Sequence, residues 1–260
     1  MTENKMFCFQ CQETAKGTGC TIQGVCGKTA DTSMCQDLLL SVVRGIGTVY
    51  HCLKKAGKES LPAVEGFITD ALFTTITNAN YDDDAILRKV TDGIVLKKQL
   101  IDKAKEDGVS LPNWPEVTWG GDENDYESEG KREGILRIEN ADVRSLKELT
   151  ILGLKGMAAY YEHASHLGEH SSAIIDFMSE ALFTITDPDS SMETLLNCVL
   201  ATGKFGVDVM ALLDKANTKV YGNPELTKVN IGVGKNPGIL ISGHDLKDIE
   251  DLLKQTEGTG

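Results

Sequence analysis

Apolar residues recur along much of this chain at three- and four-residue steps, the spacing of one helix face. Leu38, Val42, Ile46, Val49 and Leu53 form one such stripe, and Ile86, Val90, Ile94, Leu100 and Ile101 form another. The pattern is also duplicated. ALFTTITN at 71–78 returns as ALFTITD at 181–187, and RGIGTVYHCLKKAGK aligns with LKGMAAYYEHASHLGE. Gly45, Tyr50 and Gly57 match Gly156, Tyr161 and Gly168 at a constant offset of 111, and LIDKAK at 100–105 matches LLDKAN at 212–217 at an offset of 112. Each stripe belongs to an amphipathic helix that must bury its apolar face against others. The expected fold is therefore mainly α: two tandem three-helix bundles, at 36–110 and 145–218. Glycines at 45, 47, 153 and 156 suit close helix–helix approach.

Two regions break the pattern. Residues 111–144 contain LPNWPEVTWGGDENDYESEG, which reads as an acidic connector making a solvated surface excursion, with docking of a basic electron donor as the alternative. Residues 219–260 contain KVNIGVGKNPGILISGHDLKDIEDLLKQ, which reads as strand, turn, strand and helix. Asp245 is a good N-cap, and Leu246, Ile249, Leu252 and Leu253 make the helix's apolar face. A parallel strand and one helix open an α/β domain without completing it, so the expected domain is truncated. His244 falls at the carboxyl tip of the GILIS strand, where open α/β sheets place ligands.

The chain has 260 residues, a formal net charge of −13 and a sequence pI near 4.8. That balance argues against nucleic acid and anionic membrane surfaces as partners. MTENKMF lacks the apolar run of a leader, and runs such as GILISG are too short to span a bilayer. The expected compartment is the cytoplasm, where thiols stay reduced.

Four of the seven cysteines crowd into residues 8–26, inside an N-terminal cysteine-rich segment at 1–35, with the spacing C-x2-C-x8-C-x5-C: Cys8, Cys11, Cys20 and Cys26. Gly17, Gly19, Gly24 and Gly27 let the loop fold tightly and turn N–H groups toward thiolates. An iron–sulfur cluster, a structural zinc and unligated thiols all remain open from spacing alone. Cys35, Cys52 and Cys198 read as small core residues. His163, His166 and His170 share one helix face, but by comparison with the first repeat they read as a solvent-facing helix end.

MFCFQCQETAKGTGCTIQGVCGK, ALFTTITNANYDDD and GKNPGILISGHDLKDIEDLL together resemble the hybrid-cluster proteins, also called prismane proteins or hydroxylamine reductases. The resemblance implies an N-terminal helical domain of two three-helix bundles followed by two α/β domains, in chains about twice this length. It implies a [4Fe–4S] cubane on Cys8, Cys11, Cys20 and Cys26. It also implies that His244 is one ligand of a hybrid [4Fe–2S–2O] cluster, whose cysteine and glutamate ligands lie in later segments that this sequence does not contain. The implied reaction is two-electron, two-proton reduction of hydroxylamine to ammonia and water, with a redox partner protein as electron donor. Nitric oxide reduction and nitrosative-stress protection are implied alternatives. This chain is accordingly expected to hold the cubane but not the hybrid cluster, and to show no hydroxylamine turnover alone. A stand-alone electron-transfer protein and a zinc-stabilised helical interaction module are the competing expectations.

Overall fold

The structure, a computed structural model, describes residues 5–59, 61–77, 79–243 and 245–259. His244 lies outside the described residues. Six long helices form the body: α1 (Ala30–Lys55), α2 (Pro62–Thr74), α3 (Asp83–Glu106), then, after α4 (Pro115–Thr118) and α5 (Tyr126–Arg132), α6 (Ala141–His166), α7 (Ser172–Thr186) and α8 (Met192–Tyr221). A last helix, α9, covers Leu246–Thr256. Local chemistry fixes several starts. Thr29 accepts a hydrogen bond from the Thr32 N–H, so α1 begins ahead of residue 36 and takes in Cys35. Asp82, Asn140, Ser191 and Asp245 cap α3, α6, α8 and α9 in the same way. Gly57 and Gly168, matched in the repeat, both follow their helix with positive φ, a conformation favouring glycine.

The two repeats do not stand apart. Helix α1 packs on α2 and α3, and α6 packs on α7 and α8. Between repeats, α1 packs on α7 while α2 packs on α6. Because α1 corresponds to α6 and α2 to α7, these two contacts are equivalents, like the paired contacts of a two-fold dimer. One continuous core results, with Leu38, Leu39, Val42 and Ile46 of the first repeat joined to Leu154, Ile175, Met178 and Leu182 of the second. Fully burying each such side chain contributes about 1.5–3 kcal/mol. Close approach explains three of the four glycines. A Cβ at Gly47 would lie 2.5 Å from Leu182 Cδ1, and one at Gly153 2.5 Å from Thr202 Cγ2. At Gly45 it would lie 2.0 Å from the Glu116 carbonyl oxygen. At Gly156 nothing lies within 4 Å, so the expected close approach is absent there.

That asymmetry comes from the connector, which differs from the solvated excursion its composition suggests. Helices α4 and α5 pack on α1. Asp122–Asp125 and Glu127 are exposed, but Glu116, Tyr126, Glu129 and Glu133 are buried. Arg44 of α1 meets Glu133 at 2.5 Å and Glu116 at 3.8 Å, and buried Lys97 of α3 donates to the Glu116 carbonyl at 2.7 Å. Pairing with these cations lets the acidic side chains enter the protein.

Three further expectations need correction. No strand forms among the described residues of 219–260: α8 continues to Tyr221, and residues 222–243 are irregular, with Leu226, Val233 and Leu240 almost wholly exposed. A strand needs a neighbour for its N–H and C=O groups, and the described residues supply none. Second, the statement that apolar runs are too short to cross a membrane does not hold for α8, whose best 18-residue window has a mean hydropathy of 1.5. One seam of α8, including Leu195, Cys198, Thr202 and Val209, is buried. Third, His163 is not a solvent-facing residue. Its ring sits edge-on to Phe73 at 5.6 Å, with Nδ1 2.8 Å from an Asp245 carboxylate oxygen, tying α6 to α9.

The glycine asymmetry predicts opposite outcomes for matched substitutions. Gly45→Ala forces a methyl group against the connector backbone and should cost about 1–3 kcal/mol. Gly156→Ala meets open space and should stabilise by about 0.5–1 kcal/mol. Denaturant unfolding of both variants checks this, since equal effects would contradict the packing described.

Candidate metal centre

The loop before α1 brings the four clustered cysteines together through its backbone. Cys8 and Cys20 face each other in a short antiparallel pairing: Cys8 N–H donates to Cys20 O at 3.1 Å, and Cys20 N–H donates to Cys8 O at 2.9 Å. The return between them passes a single 3₁₀ turn, Ala15–Gly17. Gly19, at φ +121°, lies against Phe7, whose ring would be 2.6 Å from an added Cβ. A Cβ at Gly24 would sit 3.0 Å from Cys26 Sγ. Glycine is therefore required at 19 by backbone shape and by lack of space, and favoured at 24 by lack of space alone.

Cys8, Cys11, Cys20 and Cys26 line one small cavity with Thr14, Lys28 and, from the α2–α3 loop, Thr77. Several donors point at sulfur. The Ala15 N–H donates to Cys20 Sγ at 3.4 Å, and the Thr14 hydroxyl lies 3.6 Å from the same atom. Lys28 Nζ is 3.9 Å from Cys8 Sγ and donates to Gln36 Oε1 at 2.6 Å. Gln36 in turn donates to the Asn80 carbonyl at 3.1 Å, so the ammonium is held in place by α1 and the α2–α3 loop. Lys28 is almost wholly buried, which strengthens its field at the thiols.

The electrostatics divide the seven cysteines. Burial works to raise the Cys20 thiol, but N–H groups of Ala15 and Val25, the Thr14 hydroxyl and the Lys28 charge together bring it below its ordinary value. At Cys26 burial is likewise outweighed, by the Tyr81 hydroxyl, the Lys28 N–H and the Lys28 charge, and the thiol again falls. Cys35 goes the other way, pushed up to about 12 by burial and by Asp83, Asp31 and Asp84. Burial also raises Cys52 and Cys198. Donors thus outweigh burial at Cys20 and Cys26, whereas burial prevails at Cys35, at half-buried Cys52 and at Cys198, despite the Thr150 and Thr202 hydroxyls beside the last.

This donor set fits an iron–sulfur core. Four sulfurs on one loop would supply its ligands, and N–H, O–H and ammonium groups would balance the negative charge they carry. Among the described residues, no three His, Cys, Asp or Glu side chains are grouped closely enough to hold a single metal ion. His163, His166 and His170 are likewise not brought together as a ligand set: His166 pairs with Glu162, and the His170 ring lies by Tyr161. Sequence reasoning missed Lys28, Thr14 and Tyr81. Lys28 carried a readable signal, a cation two residues after Cys26, whereas Tyr81 reaches the site only through the fold.

The chain matches the family model described as Prismane/CO dehydrogenase family over residues 6–260. It is 56% identical over 256 residues to a protein named hydroxylamine reductase from Bacteroides thetaiotaomicron, covering 98% of this chain and 46% of that one. It is 55% identical over 258 residues to the protein of the same name from Desulfitobacterium hafniense, covering 98% and 47%. Against that of Nitratidesulfovibrio vulgaris it is 51% identical over 262 residues, again covering 98% and 47%. The chain thus spans just under half the length of these curated relatives. A match that runs through the cysteine loop and all the helices leaves one conclusion: the chain belongs to the Prismane/CO dehydrogenase family.

Proposed function

We propose that this chain is the electron-relay part of an iron–sulfur oxidoreductase, with a [4Fe–4S] cluster held by Cys8, Cys11, Cys20 and Cys26. The observation that carries the reading is the shared cavity of these four thiols, with sulfur-directed donors around it. Such a cluster supplies one-electron transfer. The chain's own residues do the rest. Ala15 N–H, Thr14 and Lys28 compensate the negative charge at Cys20 and Cys8, and the Cys26 edge of the loop is exposed, so an electron donor can approach within a short distance. We propose a reducing cytoplasmic setting, which keeps these thiols available.

For the whole protein we propose hydroxylamine reduction, NH2OH with two electrons and two protons giving NH3 and H2O. The printed names of the relatives and the resemblance of the cysteine and GHDL segments support this reading. On the same resemblance, His244 is proposed as one ligand of a second, hybrid cluster at which the N–O bond is cleaved.

Iron and acid-labile sulfide should each approach about four per chain after purification without oxygen. Cys20→Ser should remove most of both. Zinc in place of iron would overturn the assignment. In the metal-free chain, Cys26 should be alkylated ahead of buried Cys35 and Cys198, and loading with iron and sulfide should protect Cys26. Unchanged labelling after loading would place the metal elsewhere.

A further inference from the structure

Behind Cys8 lies a second, enclosed cavity of about 30 Å³. One water needs about 10–15 Å³. Cys8, Gln10 and Lys28 close it on the loop side, Asp37 and Arg44 on α1, Glu148 and Lys155 on α6, and Glu133 on the connector. This charge is built in by the duplication: Asp37 corresponds to Glu148, and Arg44 to Lys155, each pair 111 residues apart. The two repeats thus face each other through a matched acid and base from each. Arg44 is already engaged by Glu133 and Glu116. Lys155 is almost wholly buried, and its Nζ donates to the Thr75 carbonyl at 3.0 Å and to Gln10 Oε1 at 3.2 Å. Gln10 stands between Cys8 and Cys11 in the loop.

Asp37 has a distinctive position. It lines this enclosed cavity and also a wide open groove running past Lys5, Ala30 and Arg132 to solvent. A carboxylate that borders water on one side and a closed polar cavity on the other can pass a proton between them. We propose that Asp37 is a proton inlet for the cysteine cradle, taking a proton from the open groove when the iron–sulfur group that the four thiolates would hold gains an electron. The inference rests on the proposed electron-relay role of that cradle. The balance is simple. One electron passes from a one-electron reductant to the iron–sulfur group, one proton passes from a buffer acid in the groove whose conjugate base stays in solvent, and a single O–H bond forms on the Asp37 carboxylate. The buried region then gains no net charge.

The electrostatics agree with the geometry. Burial pushes the Asp37 carboxyl up to about 7, with Glu148 raising it further and Lys155, Lys28 and Arg44 drawing it down. Negative charge added at the nearby cradle raises it again. Reduction therefore takes up a proton only from about pH 7 up to the higher value that Asp37 has in the reduced state; below that window Asp37 is protonated in both states, and above it ionised in both.

The test is a reductive titration of the iron-loaded chain with viologen mediators between pH 6 and 9. For the wild type, the reduction equilibrium should be flat below about pH 7, fall by up to tenfold per pH unit, about 59 mV, across the window between the two Asp37 values, and level off above it. Asp37→Asn should show less than half of this fall, and Asp37→Glu should keep it. Glu148→Gln, which removes an anion facing Asp37, should move the onset to lower pH and serves if the Asn variant does not fold. A pH-independent wild-type potential, or a wild-type slope in Asp37→Asn, would overturn the inlet while leaving the cradle intact. A chain that binds no iron would instead overturn the cradle and the inlet with it.

Discussion

Four thiolates in one short loop repel one another, and the local structure answers that repulsion. At 4 Å and an effective dielectric near 20, each pair of like charges costs about 4 kcal/mol. No loop of this size could hold four such charges bare. On the proposed reading a metal core would supply most of the compensation, and the protein adds fixed donors: a backbone N–H and a threonine hydroxyl at Cys20, a buried ammonium at Cys8, and a tyrosine hydroxyl at Cys26. The ammonium must be anchored to be useful. Gln36 on α1 and the Asn80 carbonyl do that, so the cradle depends on the first repeat being folded beneath it.

The same problem of buried charge recurs deeper in the protein. Duplication places an acid and a base on each of α1 and α6, where hydrophobic packing alone would have been simpler. Breaking a buried ion pair costs about 3–5 kcal/mol, so each group needs its partners retained. The connector meets part of this need by bringing Glu116 and Glu133 to Arg44 and Arg137. It does so only on the first repeat, because its backbone rests on Gly45. The matching surface at Gly156 is left open. One sequence repeat thus gives two environments, a covered one and an uncovered one.

How much of this was legible depended on the range of the interactions. The six long helices follow from three- and four-residue periodicity, and their correspondence in two sets of three follows from the 111-residue offset, because both are local or repeated signals, whereas the packing of α1 on α7 and of α2 on α6 does not. The clustering of the four loop thiols was readable for the same reason: they and their glycines are neighbours in sequence. Non-local contacts were hidden. Acidic composition suggested that 111–144 would be solvated, since nothing in the segment shows that Arg44 and Lys97 wait on other helices. GILIS has the composition of a buried strand, yet strand formation needs a partner, and residues 222–243 find none among the described residues. His163 looked like a helix-end residue because Asp245, its partner, is far along the chain. Tyr81 sits in the ALFTTITNANYDDD segment with nothing there that ties it to the cysteines, Asp37 carries no motif, and only the fold brings them to the cradle and its cavity.

The measurement that bears most directly on the central claim is anomalous diffraction at the iron absorption edge from crystals of the chain grown without oxygen. The account predicts one compact multi-iron peak within bonding distance of the sulfurs of Cys8, Cys11, Cys20 and Cys26, with Lys28 Nζ beside it. A peak at the zinc edge in that place, or an iron peak bound to other residues, would contradict it.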